Sequence, residues 1–174
     1  IGYQALATQN FTTATDSLNT AVGFQAGAAV TTAQVNTLVG ALSGDALTTG
    51  NSNTALGYAT LTADTLGDRA VAIGVQALQS QNFTTTTDNY NVAVGYLAGG
   101  AVTTGIFNTL VGGLAGDAIT DADFNVAVGQ SALTTNILGS SSVAIGTSAL
   151  QNQNPATAAS MLNTAVGHDA GKLV

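Results

Sequence analysis

The chain contains no cysteine, no tryptophan and no glutamate, with one proline, one histidine and only two cations, Arg69 and Lys172. Each shortage excludes something. Without cysteine there is neither a disulfide framework nor thiol chemistry. Two cations against nine aspartates leave a net charge of −7. Such a chain lacks the clustered Lys and Arg that displace counterions from nucleic acid, so no nucleic-acid partner is expected. The same balance disfavours an anionic membrane surface. No apolar run reaches the ~18 residues of a membrane span, and membrane insertion is not expected. Charged residues are 6% of the chain, against about 25% in typical soluble domains. The hydrophobic share is nonetheless an ordinary 45%, carried mostly by alanine and valine, which argues for an ordered chain.

What the sequence has is repetition. NTAVGFQAG (19–27) returns as NTAVGHDAG (163–171), with NTLVG, NTALG, AVAIG, NVAVG and SVAIG variants between. The closing glycine of each phrase falls at Gly2, Gly23, Gly40, Gly57, Gly74, Gly95, Gly112, Gly129, Gly146 and Gly167. The spacing is 17 residues, lengthened to 21 at every fourth step, so a short repeat is nested in a super-repeat of 72. Residues 1–72 and 73–144 share 41 identities, and 145–174 begin a third copy. The chain reads as one array over 1–174, a segment of a longer one.

Counted from its asparagine, the short repeat is N-T-A-V-G-x-x-A-(G/L)-x-A-V-T-T-G-x-x. Short apolar stretches alternate with glycine and polar punctuation. A helix-turn-helix repeat needs more than ~30 residues, so a helical reading fails. The pattern predicts an all-β fold, a parallel β-solenoid of about ten coils. Equivalent residues then stack about 4.8 Å apart, giving a rod of roughly 45–50 Å. The recurrent Asn19, Asn36, Asn53, Asn91, Asn108, Asn125 and Asn163 are expected to form an amide ladder. The fifth-position glycines are expected where a turn needs positive φ or close backbone approach.

Positions 2 and 4 share one face of each strand, expected to line the coil interior. Position 3 would then point outward, yet it is never polar: Ala21, Leu38, Ala55, Ala72, Ala93, Leu110, Ala127, Ala144 and Ala165. A strand apolar on both faces is normally buried on both. These residues are therefore the expected contacts between chains associated side by side, unless a wider solenoid buries both faces internally.

SVAIGTSAL (142–150) and AVAIGVQAL (70–78) resemble the head repeats of YadA-like trimeric autotransporter adhesins. NTAVGFQAG and NVAVGYLAG look like variants found in phage tail-fibre repeat proteins. The resemblance covers essentially the whole chain. It implies a parallel β-roll, homotrimeric association and an extracellular place on a cell surface or virion. The repeats here, of 17 and 21 residues, are longer than the family's, and its stalk and anchor segments are not represented.

Little in the chain points to chemistry, so neither an enzyme nor a cofactor is expected. His168 stands without a histidine or cysteine partner. Asp45 and Asp117 are equivalent in successive super-repeats, as are Asp16 and Asp88. Four coils, about 19 Å, separate each pair, too far to share a cation within one chain. Thr31, Thr48, Thr65, Thr103 and Thr120 form a row, but the Thr pairs are mostly adjacent rather than alternate, which suits ice binding poorly. The long coils carry QNFTTATD (9–16), QNFTTTTD (81–88) and QNPATAAS (153–160), expected to bulge as loops able to carry recognition. Asn10 and Asn82 lie in N-F-T sequons. Tyr3, Phe24, Tyr58 and Tyr96 form an intermittent aromatic row, read as cover for the apolar edge, with sugar stacking as the alternative. The expected function is an extracellular structural fibre or adhesin shaft with side-by-side chains, and a host-surface glycan or receptor as further partner. The alternatives are a filament stacking end to end, or ice or surface binding through threonine rows.

Overall fold

A computed structural model describes residues 1–174. It contains no helix and hence none able to cross a membrane. Each NTAVG-type phrase forms a three-residue strand: β1 (Thr20–Val22), β2 (Thr37–Val39), β3 (Thr54–Leu56), β5 (Val71–Ile73), β7 (Val92–Val94), β8 (Thr109–Val111), β9 (Val126–Val128), β11 (Val143–Ile145) and β13 (Thr164–Val166). These nine pair in sequence order into one parallel sheet. The pairing is in register, so Ala21 lies beside Leu38, Leu38 beside Ala55, Ala55 beside Ala72. Two shorter ladders, β4 (Gly67–Asp68) with β6 (Thr87–Asp88) and β10 (Gly139–Ser140) with β12 (Ala159–Ser160), join the return legs of the long coils to the coils before them. The fold is a parallel β-solenoid. Residues 1–18 add a partial coil, with Ile1 O accepting from Gly23 N–H at 2.8 Å and Leu6 N–H donating to Ala26 O at 3.0 Å.

Strands supply a minority of the stacking. Of 96 backbone hydrogen bonds, 78 lie outside them. Many connect equivalent places in neighbouring coils, as in Thr31 N–H to Thr48 O (2.9 Å), Gly27 N–H to Ser43 O (2.9 Å) and Val35 N–H to Ser17 O (2.9 Å). The coil is held around its whole circumference, so its backbone polar groups are satisfied without long strands.

The asparagines form a ladder, with backbone as the main partner. Asn36 Nδ2 donates to Gly50 O (2.9 Å) in its own coil, while its Oδ1 accepts from Asn53 N–H in the next (2.8 Å). Asn91 and Asn108 repeat the pattern. Each side chain therefore closes one coil and fixes the register of the next. Asn36, Asn53, Asn91, Asn108 and Asn125 are fully buried or nearly so. Only Asn19 and Asn36 also meet amide to amide, at 3.3 Å.

The outward face differs from the expectation drawn from hydropathy. Position 3 lines the interior: Leu38, Ala55, Ala72, Ala93, Leu110, Ala127 and Ala144 are fully buried within the single chain, with Ala21 and Ala165 nearly so. They are core residues and cannot be contacts between chains. Positions 2 and 4 point outward instead. The physical reason is size. Interior space is set coil by coil: seven coils hold alanine in this column and two hold Leu38 and Leu110, where glycine at position 9 makes room, while the β-branched residues take the outer face, where they suit a pleated surface.

The interior also explains the 72-residue period. In the coils from Asn19 and Asn36, positions 9 and 12 carry Gly27 with Val30 and Gly44 with Leu47. In the next two they carry Leu61 with Asp64 and Leu78 with Gln81. The second super-repeat alternates likewise, Gly99/Val102, Gly116/Ile119, Leu133/Asn136 and Leu150/Gln153. A side chain at position 9 thus alternates with an aliphatic one at position 12. Where glycine stands, a neighbouring leucine occupies the space: a Cβ on Gly27 would sit 2.7 Å from Leu38 Cδ1, and one on Gly99 2.7 Å from Leu110 Cδ1. Four coils make one packing unit.

The turn glycines stack as a column with φ between 122° and 141°. A Cβ on Gly57 would lie 2.5 Å from the Gly74 carbonyl oxygen in the next coil. Gly57→Ala is expected to cost ~2 kcal/mol or more, through both the strained φ and the backbone clash. Gly113→Ala, at a site with open space and no positive φ, should stay within ~0.5 kcal/mol. Thermal melts of the two variants check this; equal losses would refute the role given to the column.

Candidate binding surface

The outer sheet face carries two rows of apolar or threonine side chains. Position 2 contributes Thr37, Thr54, Val71, Val92, Thr109, Val126 and Val143; position 4 contributes Val39, Leu56, Ile73, Val94, Val111, Val128 and Ile145. All are half-buried or exposed. Neighbours along a row are about 4.8 Å apart and the rows about 6.8 Å from each other, so nine strands make a face nearly 40 Å long. It carries no charge.

Aromatic rows flank it on both sides. On one side are the residues after the turn glycine. Tyr3 and Phe24 stack at 5.6 Å, and Tyr58 and Tyr96 are about half exposed. The other row stands just before each first position and escapes a reading by motif. There Tyr90, Phe107 and Phe124 stack at 5.5 and 5.0 Å with interplanar angles of 10° and 7°. The Arg69 guanidinium caps the stack, 5.6 Å from the Tyr90 ring centre. Arg69 also pairs with Asp88 across the short ladder. These residues have left-handed backbone, φ 51° to 63°, which throws the side chains outward. The stack was detectable in principle, because the residues before Asn91, Asn108 and Asn125 are all aromatic once the repeats are aligned.

The other singled-out residues serve the array. Thr31 and Thr48 Oγ1 each donate to the next coil's threonine carbonyl at 3.0 Å, and Thr103 does so at 3.2 Å. Their hydroxyl donors are thus committed to the neighbouring coil. Asp45 accepts from Thr62 Oγ1 (2.5 Å), and Asp117 likewise from Thr134 Oγ1. No three carboxylate or histidine side chains gather where a metal ion could sit. His168 is largely exposed, with Nδ1 3.1 Å from Asp169 Oδ2. The long-coil loops protrude: Asn10, Thr12, Asn82, Thr84 and residues 156–160 are exposed, while Phe83 turns inward as a plug.

One buried acid stands out. Asp64 is fully buried, accepting from Gln81 Nε2 at 2.6 Å and Gly67 N–H at 3.0 Å. Burial raises its pKa above the ordinary 3.8; the Gln81 amide and the N–H groups of Gly67, Phe83 and Leu66 pull the other way. Its equivalent one super-repeat later is Asn136, whose Nδ2 donates to Gly139 O at 2.6 Å. That bond takes the carbonyl equivalent to the one Asn53 uses at Gly67 (2.8 Å), and Asn125 Nδ2 is left without a partner. The aspartate therefore preserves the ladder at the cost of a buried carboxyl.

Folded Asp64 holds its proton more tightly than the unfolded chain does. Its contribution to stability is complete below pH 3.8 and declines as pH rises through the elevated folded value. The difference in stability between Asp64→Asn and the parent should therefore shift in the variant's favour as pH rises from below 3.8 to 7. Urea melts across that range measure it; a pH-independent difference would contradict the assignment.

No family model, curated protein or solved structure matches this chain.

Proposed function

We propose that the chain is part of an extracellular structural fibre or adhesin shaft, in which copies associate side by side through the outer strand face. One observation carries the reading: a rigid rod presents an uncharged valine, isoleucine, leucine and threonine surface along its full length. Monomeric proteins rarely leave contiguous apolar patches larger than a few hundred Å² in water. A homotrimer, the arrangement implied by the resemblance to adhesin heads and tail fibres, would cover three such faces about one axis. The same resemblance supports a place on a cell surface or virion.

The reading assigns the chain no catalytic role. Its polar interior groups are spent on holding coils together, and its single histidine lies in the last coil. Threonine rows are the weaker alternative, because their hydroxyl donors point to carbonyls of the next coil.

Sedimentation velocity should find the parent chain above monomer mass, and cryo-electron microscopy should show rods of three-fold section. Val94→Lys with Val128→Lys, two coils apart on position 4, places charge on the face without touching the core. The double variant should sediment as a folded monomer with unchanged circular dichroism. A parent chain that is monomeric at every concentration would overturn the reading. Long continuous fibres with an axial repeat of about 19 Å, four coil spacings, would replace side-by-side association with end-to-end assembly.

A further inference from the structure

The two aromatic rows are comparably exposed and differ in how their rings are spaced. In Tyr90, Phe107 and Phe124 the rings stand on successive coils and cover one another's faces, presenting mainly edges. In the other row, from Phe24 onward, a ring stands on every second coil: Phe24, Tyr58 and Tyr96, exposed by 49, 52 and 55%. Ala41 and Val75 occupy the coils between, and Gly113 the coil after. Tyr3 stacks on one face of Phe24, and no ring stands next to Tyr58 or Tyr96 in the row. Two coil spacings put successive rings about 9.6 Å apart.

That period selects a ligand. A polypeptide strand repeats the same face about every 6.8 Å and falls out of step with the row after one ring. An extended β-linked glycan of the cellulose or chitin kind does not. Its sugar rings alternate in orientation, so the same flat C–H face returns once per disaccharide, a length close to two coils. Aromatic faces pack against flat apolar surfaces of that sort with large contact area. Charge narrows the class further. Between Tyr3 and Gln130 neither this row nor the position after it carries a charged side chain, although the chain as a whole has nine aspartates. Ala59 and Leu97 follow Tyr58 and Tyr96, and amides stand at that position on other coils of the row. Gln25 follows Phe24, and Gln76, tethered to Gln79 Oε1 at 2.8 Å, lies on the coil between Tyr58 and Tyr96. Amides beside aromatic platforms suit hydroxyl groups.

We propose that Phe24, Tyr58 and Tyr96 form a linear binding site for a neutral, extended β-linked glycan running along the rod, one aromatic platform per disaccharide. The site is separate from the outer strand face, and the proposal does not depend on how many chains associate.

The test titrates the 174-residue chain with cellulose- and chitin-derived oligosaccharides of two, four and six sugars, by calorimetry and tyrosine fluorescence. Affinity should rise with each added disaccharide, and a flexible α-linked glucan of equal length should not bind. Tyr58→Ala and Tyr96→Ala should each weaken the six-sugar ligand about tenfold, the loss of one stacking platform. Both side chains are exposed, so melting temperature should not move. Phe107→Ala, in the continuous stack, should leave glycan affinity unchanged. Binding that is absent, independent of length, or equally weakened by Phe107→Ala overturns the proposal. So does a drop in sedimenting mass of Tyr58→Ala without sugar, which would make the row a contact between copies. If association persists and glycan binding fails, the glycan site alone falls.

Discussion

Everything in this molecule depends on identical positions lying directly above one another about 4.8 Å apart. In-register parallel stacking imposes that condition, and the asparagine side chains enforce it. Asn36 Oδ1 takes the N–H of Asn53 while its Nδ2 holds the carbonyl of Gly50. A one-residue slip between coils would break the first of these bonds and turn the interior alanines outward. Once the register is set, each column of the repeat becomes a separate environment. The glycine column permits backbone contact, the position-3 column must fit the lumen, and the outer columns are free to specify a surface.

The lumen shows how this constraint creates the longer period. With the backbone spacing set, only side-chain volume can vary, and a large residue in one coil must be met by a small one nearby. Leu38 fills the space beside Gly27 and Gly44, and Leu110 that beside Gly99 and Gly116. The following coils invert the arrangement, with leucine at position 9 and an amide or acid at position 12. Buried polar groups need partners, and Asp64–Gln81 and Gln153–Ser142 supply them where aliphatic packing stops. The 72-residue unit is therefore a packing cycle as much as a sequence duplication.

The repeat length, the glycine column and the alignment of the asparagines were legible in the sequence because each follows from spacing and residue type alone, whereas the asparagines bond mainly to backbone rather than to one another. The direction of the strand was not legible. In TAV, VAV and VAI all residues are compatible with either face, and hydropathy does not separate alanine from valine as inside from outside. Lumen width decides, and width is a property of the closed coil. The aromatic stack is legible only in the aligned residues before Asn91, Asn108 and Asn125, because local propensity argues against it. Tyr90, Phe107 and Phe124 occupy a left-handed conformation that bulky residues rarely adopt. Here cross-coil bonds such as Phe107 N–H to Asn89 O (2.7 Å) hold the backbone in that conformation, and local propensity gives no warning of it.

The inversion of the strand strengthens the case for a surface function. Had alanine faced outward, the exposed face would have been shallow and only weakly apolar. Valine, isoleucine and leucine outward give a rod whose apolar surface grows with every coil, while its core, built largely of alanine, gains little per coil. Burying the outer rows against another chain would add apolar contact that the narrow lumen cannot supply, at roughly 25 cal/mol for each Å² covered. A solenoid this thin has reason to associate, and the columns that flank the strand face, one continuous and one spaced, are then the places where it can differ in what it recognises.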